Sequence, residues 1–472
     1  MRKLQHHWPV SSRREFFTRA GSGLAGIALS HLLQSDALAA SVDPLAPKPP
    51  TVAPRAKSVI WCFMEGGPSH IDLFDPKPKL KELAGQPVPP SYGKIITAMG
   101  TGNNTLMPSS RTFKQHGQSG IWVSDWYSHL AEHVDDMTVI RSCQADGLNH
   151  VGSVCQMNTG DILAGRPSMG AWVTYGLGSA NRNLPSFVVM MDDKETLGGQ
   201  QNWGSGFLPA TFSATQFRQG NSPILNLRPP AGTTGEQERS ELQFLREIND
   251  QFSRDKQDDT ELDARTRSYE LAYQMQSSAP DAVDLTKESE ATHAMYGLDQ
   301  PSTAAFGANC LMARRLVERG VRFVELYAGS GSGWDAHQHI DQNHSKWCRV
   351  SDKPIAGLLA DLKSRGMLKD TLVVWGGEFG RTPFNEKGTG RDHDPWGFTM
   401  WMAGGGVKGG QYIGSTDEIG LRAQERPVHV HDIHASILYL LGLDHKRLTY
   451  PHNGRMERPT ITSGEVIKEL FT

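Results

Sequence analysis

The stretch Thr371 to Pro395, TLVVWGGEFGRTPFNEKGTGRDHDP, places Glu378, Arg381, Arg391, Asp392, His393 and Asp394 within seventeen residues, with glycine and proline between them. Two other stretches have the same make-up: Glu65-Gly66-Gly67-Pro68-Ser69-His70-Ile71-Asp72, and Gly329 to His339 (GSGSGWDAHQH). Carboxylates mixed with imidazoles form the oxygen and nitrogen donor set that Zn, Mn or another divalent ion accepts. The candidate ligands are Asp335 with His337 or His339, His393 with Asp392, Glu378, and His70 with Asp72. Arg381 carries a planar donor fork suited to bidentate contact with an anionic group of a substrate. Any one of these residues also suits a helix cap or an Asx turn. Their recurrence in three stretches is what favours a shared site.

Each stretch follows a buried-strand pattern. Ser58 to Met64, Val321 to Tyr327 and Leu372 to Trp375 are runs dominated by apolar and β-branched residues, which suit strands covered on both faces. Open α/β sheets bind ligands at the carboxyl ends of such strands. If the three strands are neighbours in one parallel sheet, their loops converge. A helix over Ala304–Arg319 stopped by Gly320, and another over Ile355–Arg365, alternate with these strands; that order predicts a mostly parallel sheet with right-handed crossovers.

Further strands are expected at Met137–Ile140, Phe187–Met191 and Phe398–Ala403, and helices around Trp126–His133, Val151–Asn158 and His431–Leu441. Residues 87–120, rich in Gly, Pro, Ser and Asn, read as an irregular excursion, and 371–395 beyond its strand as a loop. Residues 234–297 carry apolar positions at helical spacing within a charged background and read as a helical insertion. The glycines of 404–410 lack the order GxxxxGK[ST] and read as a turn. His150, just before a helix, is a candidate general acid/base or substrate contact.

The chain has 472 residues, 38% hydrophobic and 21% charged, with a formal charge of −3. That is an ordinary globular composition with no electrostatic footprint for nucleic acid. The five cysteines are widely spaced without a CxxC and read as small buried hydrophobes. Ser12-Arg13-Arg14-Glu15-Phe16-Phe17, a short apolar run and Ala37-Leu38-Ala39-Ala40 give residues 1–40 the anatomy of a cleaved twin-arginine export signal. The expected location is therefore periplasmic or extracellular. Residues 41–56, with five prolines, read as a linker, and 57–472 as one domain. The mature chain carries no apolar run long enough for a membrane span.

Taken in order, GGPSHIDLFDPKP (66–78), NHVGSVCQMNTG (149–160), GWDAHQ (333–338), GGEFGRTP (376–383), GRDHDP (390–395) and MAGGGVKGG (402–410) resemble the motifs of the secreted bacterial family labelled domain of unknown function 1501. Its members resemble the alkaline phosphatase and sulfatase superfamily. The resemblance implies a three-layer α/β/α domain and a site for two divalent metals or one calcium. Asp335 with His337 or His339 matches the first ligand element and His393 the downstream histidine. Glu378 stands where the superfamily has an Asp-His pair. At the position of the superfamily's Cys, Ser or Thr nucleophile this sequence has His150, with Ser153 one turn further on. The expectation is an exported metal-dependent hydrolase of phosphate or sulfate esters, small-molecule or glycan. The rival is a non-catalytic exported protein that binds a glycan or anion on the same fold.

Overall fold

The computed structural model describes residues 43–192, 194–220 and 280–471, with scattered positions between 223 and 276. The export signal expected over 1–40 and half of the helical insertion expected over 234–297 lie outside the described residues. Residues 47–56 contain no helix or strand. The backbone amides of Thr51 and Val52 donate to Gly442 O at 2.8 and 3.0 Å, and those of Arg55 and Ala56 to Leu440 O at 2.7 and 2.8 Å. The expected linker is thus tied to the domain along much of its length.

In chain order the strands are β1 (Ser58–Met64), the hairpin β2 (Phe113–His116) and β3 (Ile121–Ser124), β4 (Met137–Gln144), β5 (Phe187–Met190), β6 (Thr215–Phe217), β7 (Phe323–Ala328), β8 (Thr371–Gly376), the hairpin β9 (Gly380–Glu386) and β10 (Gly390–Asp394), β11 (Phe398–Gly404) and β12 (Gln411–Ile413). The main sheet runs β12-β4-β11-β8-β1-β7-β5-β6, with the short strand Val428–His429 beside β4. Its pairings are parallel except for β11, which runs antiparallel to both β4 and β8.

The longer helices are α1 (His150–Thr159), α2 (Met169–Leu177), α3 (Ala304–Glu318), α4 (Ile340–Ser364) and α5 (Val430–Leu440). On one face of β1, Ile60, Cys62 and Met64 share a core with Cys310 and Leu311 of α3 and Leu358 and Leu359 of α4. On the other, Trp61 meets His434 of α5 edge-on at 6.4 Å, and the Tyr327 hydroxyl of β7 accepts a hydrogen bond of 3.1 Å from Asn158 of α1. Alternate residues of one strand point to opposite faces, so helices cover both sides of the sheet. The fold is α/β, in three layers around a mostly parallel sheet. All five cysteines are free and buried.

The three strands singled out by sequence are adjacent, in the order β8-β1-β7. Phe63 lies opposite Gly376, and Met64 opposite Ala328, so the carboxyl ends are level and their loops leave one edge. Since β11 is antiparallel to β4 and β8, the carboxyl end of β4 and the start of β11 face that edge as well. These deliver His150 and the β9–β10 hairpin.

Three local expectations change. The stretch after Gly377 is a hairpin with most of its residues buried rather than a solvated loop. The helix expected at Ile355 begins fifteen residues earlier, at Ile340, because its first half buries His344, Ser351 and Asp352 where an apolar stripe would be read. The helix expected around Trp126–His133 is a 3-10 segment, Leu130–Asp136.

At Gly66 the backbone has φ +117°, and a Cβ there would stand 2.5 Å from the amide nitrogen of Asp335 and 2.6 Å from that of Trp334. Trp334 in turn donates its amide to Glu65 O at 3.0 Å. The exit of β1 and the Asp335 loop therefore meet backbone to backbone, which only glycine permits. Gly66→Ala is expected to destabilise the domain by about 3 kcal/mol, from strain plus displacement of the neighbouring loop. Urea unfolding of the variant measures it, and a loss below about 0.5 kcal/mol, the range of neutral surface changes, would contradict this packing.

Candidate metal centre

Four donor atoms converge where the loops meet. His150, Asp335, His337 and His393 each offer one ligand atom within 4.8 Å of the others. The Nε2 atoms of His337, His150 and His393 lie 3.1, 3.4 and 3.6 Å from Asp335 Oδ1. The opposite nitrogen of each ring is held by an acceptor. His150 Nδ1 bonds Glu378 Oε1 at 2.7 Å, His393 Nδ1 bonds the carbonyl of Leu148 at 2.7 Å, and His337 Nδ1 bonds Glu386 Oε2 at 2.5 Å.

A carbonyl cannot donate, so the His393 proton sits on Nδ1; the carboxylates impose the same tautomer on His150 and His337. In the neutral rings, three Nε2 lone pairs then point at a carboxylate oxygen. The Arg381 guanidinium, 2.8 Å from the same oxygen, offsets part of that repulsion, and a divalent ion among the four atoms would offset more. The Nε2 atoms of His150 and His393 are buried and have no hydrogen-bond partner among the described residues. An imidazole that donates its far N–H to a carboxylate or carbonyl is the usual arrangement of a metal-bound histidine. The four residues fit a divalent ion. Asp335 retains 27% side-chain exposure while His393 has 5%, so the centre opens to solvent on the aspartate side.

The electrostatics agree. Burial alone would raise the Asp335 carboxyl, but His150, His393 and Arg381 hold it far below the usual range. Burial would lower His150, yet the carboxylates of Asp335 and Glu378 push it up to about 9. Burial holds His393 below its ordinary value despite Asp335.

The site residues expected from sequence separate into groups. The choice between His337 and His339 falls to His337: His339 is exposed, with backbone φ 52° at the start of α4, and donates its amide to Thr389 Oγ1 at 3.1 Å. His150, expected as an acid/base or substrate contact, stands among the donor atoms instead. Glu378 does not join them. It accepts from the Gly66 amide at 3.0 and 3.1 Å and holds His150.

Arg381, expected to clamp a substrate anion, is fully buried. Its Nε donates to Gly67 O at 2.9 Å, Nη1 to Arg391 O at 3.2 Å, and Nη2 to Gly66 O, with Asp335 Oδ1 at 2.8 Å from Nη2. The fork fastens Asp335 and has no face left for a ligand. Asp392 receives hydrogen bonds from Met99 N, Thr101 Oγ1 and His393 N at 3.0, 2.7 and 2.7 Å, which orders the backbone beside His393, and it also offers an oxygen within 4.8 Å of donor atoms of His337 and Glu386, a second group able to hold an ion. Although burial raises its carboxyl, these bonds hold it below the ordinary value.

Asp72 pairs with Arg391 at 2.9 Å and accepts from Ser69 Oγ at 2.5 Å, and His70 Nε2 bonds Gly420 O at 2.8 Å. Both are buried structural groups. Ser153 is buried, with its hydroxyl unpartnered among the described residues. His431 and His434 bond Gly160 O and Met157 O at 2.7 and 2.8 Å, which fastens α5 to the end of α1.

Sequence reasoning missed Glu386 and Leu148. A glutamate at a hairpin turn and a backbone carbonyl carry no mark in the residue pattern, and only the fold brings them to the imidazoles. It also missed Phe379, whose ring stacks on His393 at 4.5 Å and floors the centre.

Residues 56–471 match the family described as "Protein of unknown function (DUF1501)". The chain belongs to that family. No curated protein matches it. Among solved structures it is similar to an alkaline phosphatase from the Antarctic bacterium TAB5, at 12% identity and a TM-score of 0.37, covering 84% of this chain and 99% of that one. It is also similar to the sulfatase PsFucS1 from Pseudoalteromonas sp. (12% identity, TM-score 0.35, 82% and 68% covered) and to the lipoteichoic acid synthase LtaP from Listeria monocytogenes (10%, 0.34, 84% and 76%). Among the described residues no helix of this family member is long and apolar enough to cross a membrane.

Two measurements test the centre. Glu378→Gln is expected to weaken divalent-metal affinity roughly 10–100-fold, because it replaces the carboxylate that orients His150; isothermal titration calorimetry reads this, and an unchanged Kd would contradict the role. Metal binding must also displace the His150 proton, which the folded protein holds up to about 9. Affinity is therefore expected to fall as pH drops below 9, by about tenfold per unit for one proton, with proton release on loading. Titrations in buffers of different ionisation enthalpy measure that release, and an affinity flat between pH 7 and 9 would contradict it.

Proposed function

We propose that this protein is an exported hydrolase of phosphate or sulfate esters that uses one divalent ion held by His150, Asp335, His337 and His393. One observation carries the reading: three imidazoles, each with its outer nitrogen consumed by an acceptor, turn their remaining lone pairs on one carboxylate oxygen. When bound, the ion supplies positive charge against which an ester's anionic group is held and polarised. Glu378 and Glu386 keep the His150 and His337 rings in register, and Arg381 keeps Asp335 in place. Phe379 and the hairpin exclude water from one side, while the exposed side of Asp335 leaves a way in for substrate. The motif resemblance supports the ester class, and the signal anatomy of residues 1–40 supports export. Zn and Mn suit the mixed nitrogen and oxygen set better than Ca, which prefers oxygen alone.

A second reading rests on Arg381. With its fork engaged by backbone and Asp335, Arg381 offers no anion clamp. Four protein donors can also complete a tetrahedral ion, as in structural sites. The same protein would then bind a glycan without turnover.

Metal-stripped protein, reloaded with Zn²⁺ or Mn²⁺ and assayed on aryl phosphate and aryl sulfate, separates the two. Hydrolysis is expected only in the loaded protein, and Asp335→Asn is expected to lower it about 100-fold or more through loss of a ligand and its charge. A loaded protein inert on both esters would support the second reading.

A further inference from the structure

The first half of α4 carries Ser345, Arg349 and Lys353 at i, i+4 and i+8, which places them on one face of the helix. With the segment after β3 and the turn before α3, that face walls a cleft of about 250 Å³, to which Asp125, Trp126 and His129 also contribute. The volume falls below the roughly 300–1,000 Å³ of sites for drug-sized molecules and suits a molecule the size of one sugar. The cleft is separate from the metal centre. Between them stands the buried His344, whose ring lies 6.0 Å from that of Trp126 and 5.2 Å from that of Trp334, the residue before Asp335.

One wall is tied down by a buried acid. Asp352, 5% exposed, accepts from the amides of His129 and Leu130 at 3.0 and 2.8 Å and from His129 Nδ1 at 2.8 Å. A carboxylate cannot donate, so the ring proton sits on Nδ1 and the neutral imidazole keeps Nε2 as an acceptor. That side chain is 54% exposed, and its Nε2 has no partner among the described residues. The stem of Lys353 lies against Gly297, where a Cβ would stand 3.4 Å from the lysine Cδ, and its ammonium is 3.6 Å from Asp299. Arg349 makes no hydrogen bond or ion pair among the described residues. Two cations on successive turns of one helix face repel each other, and an anion bound between them would remove that cost.

We infer that this cleft binds a small hydroxylated carboxylate, a sugar acid in size and chemistry. Arg349 and Lys353 receive the carboxylate, for which the arginine fork suits bidentate contact. Asp125, exposed and 3.7 Å from Arg111, and His129 Nε2 accept from hydroxyls. Trp126, half-buried, supplies apolar surface for the C–H groups of the ligand. A bare anion would face the two acceptors without a hydrogen to give them. A neutral sugar would leave Arg349 without a counter-charge. The mixed lining therefore selects a ligand that has both features.

The test titrates the full chain, loaded with Zn²⁺, by calorimetry with glucuronate, galacturonate and gluconate, and separately with acetate, glucose and inorganic phosphate. At least one sugar acid is expected to bind tenfold or more tightly than acetate, glucose and phosphate. Arg349→Ala is expected to weaken that sugar acid about tenfold or more through loss of a charge-assisted contact, with metal content unchanged, and Arg349→Lys to recover part of the loss. Acetate or phosphate binding as tightly as the best sugar acid would overturn the ligand class. An affinity unchanged in Arg349→Ala, or lost when the metal is stripped, would place the ligand elsewhere and overturn the site. No saturable binding of any of the three sugar acids would overturn both.

Discussion

The centre depends on three hydrogen bonds that leave the imidazoles no choice of orientation. Glu378, Glu386 and the Leu148 carbonyl each occupy one ring nitrogen, and the other nitrogen of each ring is thereby committed to a common point beside Asp335. A carboxylate surrounded by three lone pairs is costly; Arg381, 2.8 Å from its oxygen, relieves part of that cost, and a proton on His150 or a divalent ion relieves more. Much of the surrounding polar structure makes sense as support for that arrangement. Arg381 is buried to hold Asp335, the Gly66 amide is spent on Glu378, and Asp392 fixes the backbone at His393.

The sheet makes this convergence possible. Three parallel strands with level ends deliver Glu65–Gly67, the Asp335 loop and the Glu378 turn to one edge. The antiparallel β11 adds the β9–β10 hairpin from the opposite chain direction, and β4 adds His150. Each donor therefore rests on a regular element or within a few residues of one, which suits a site that needs fixed geometry. Beneath it, the buried Asp72–Arg391 pair braces the hairpin. That pair illustrates why ionisable residues in the same motifs divide into ligands and struts, since a buried charge needs a partner whether or not it serves function.

Much of the fold was legible in the residues. Runs dominated by apolar residues identified β1, β7 and β8, and the alternation with helices indicated their parallel order. Asp335, His337 and His393 were legible as candidate ligands because an acid and an imidazole recur at strand ends. The roles of Glu378 and Arg381 were not, because a carboxylate that binds an ion and one that orients a histidine look alike in sequence; which it does is decided by the Gly66 amide and His150 lying within reach. Arg381 misled for a related reason, as its donors are consumed by carbonyls that only the tertiary fold brings close. The first half of α4 was hidden because polar side chains occupy its buried stripe.

The central claim is that His150, His337 and His393 bind one ion through Nε2, together with the Asp335 carboxylate. Metal-edge X-ray absorption on the Zn²⁺-loaded chain tests it most directly. The account predicts one ion per chain with about three imidazole nitrogens at roughly 2.0–2.1 Å and a carboxylate oxygen at similar range. A protein that takes up no ion, or an ion whose shell holds only oxygen donors, would contradict it.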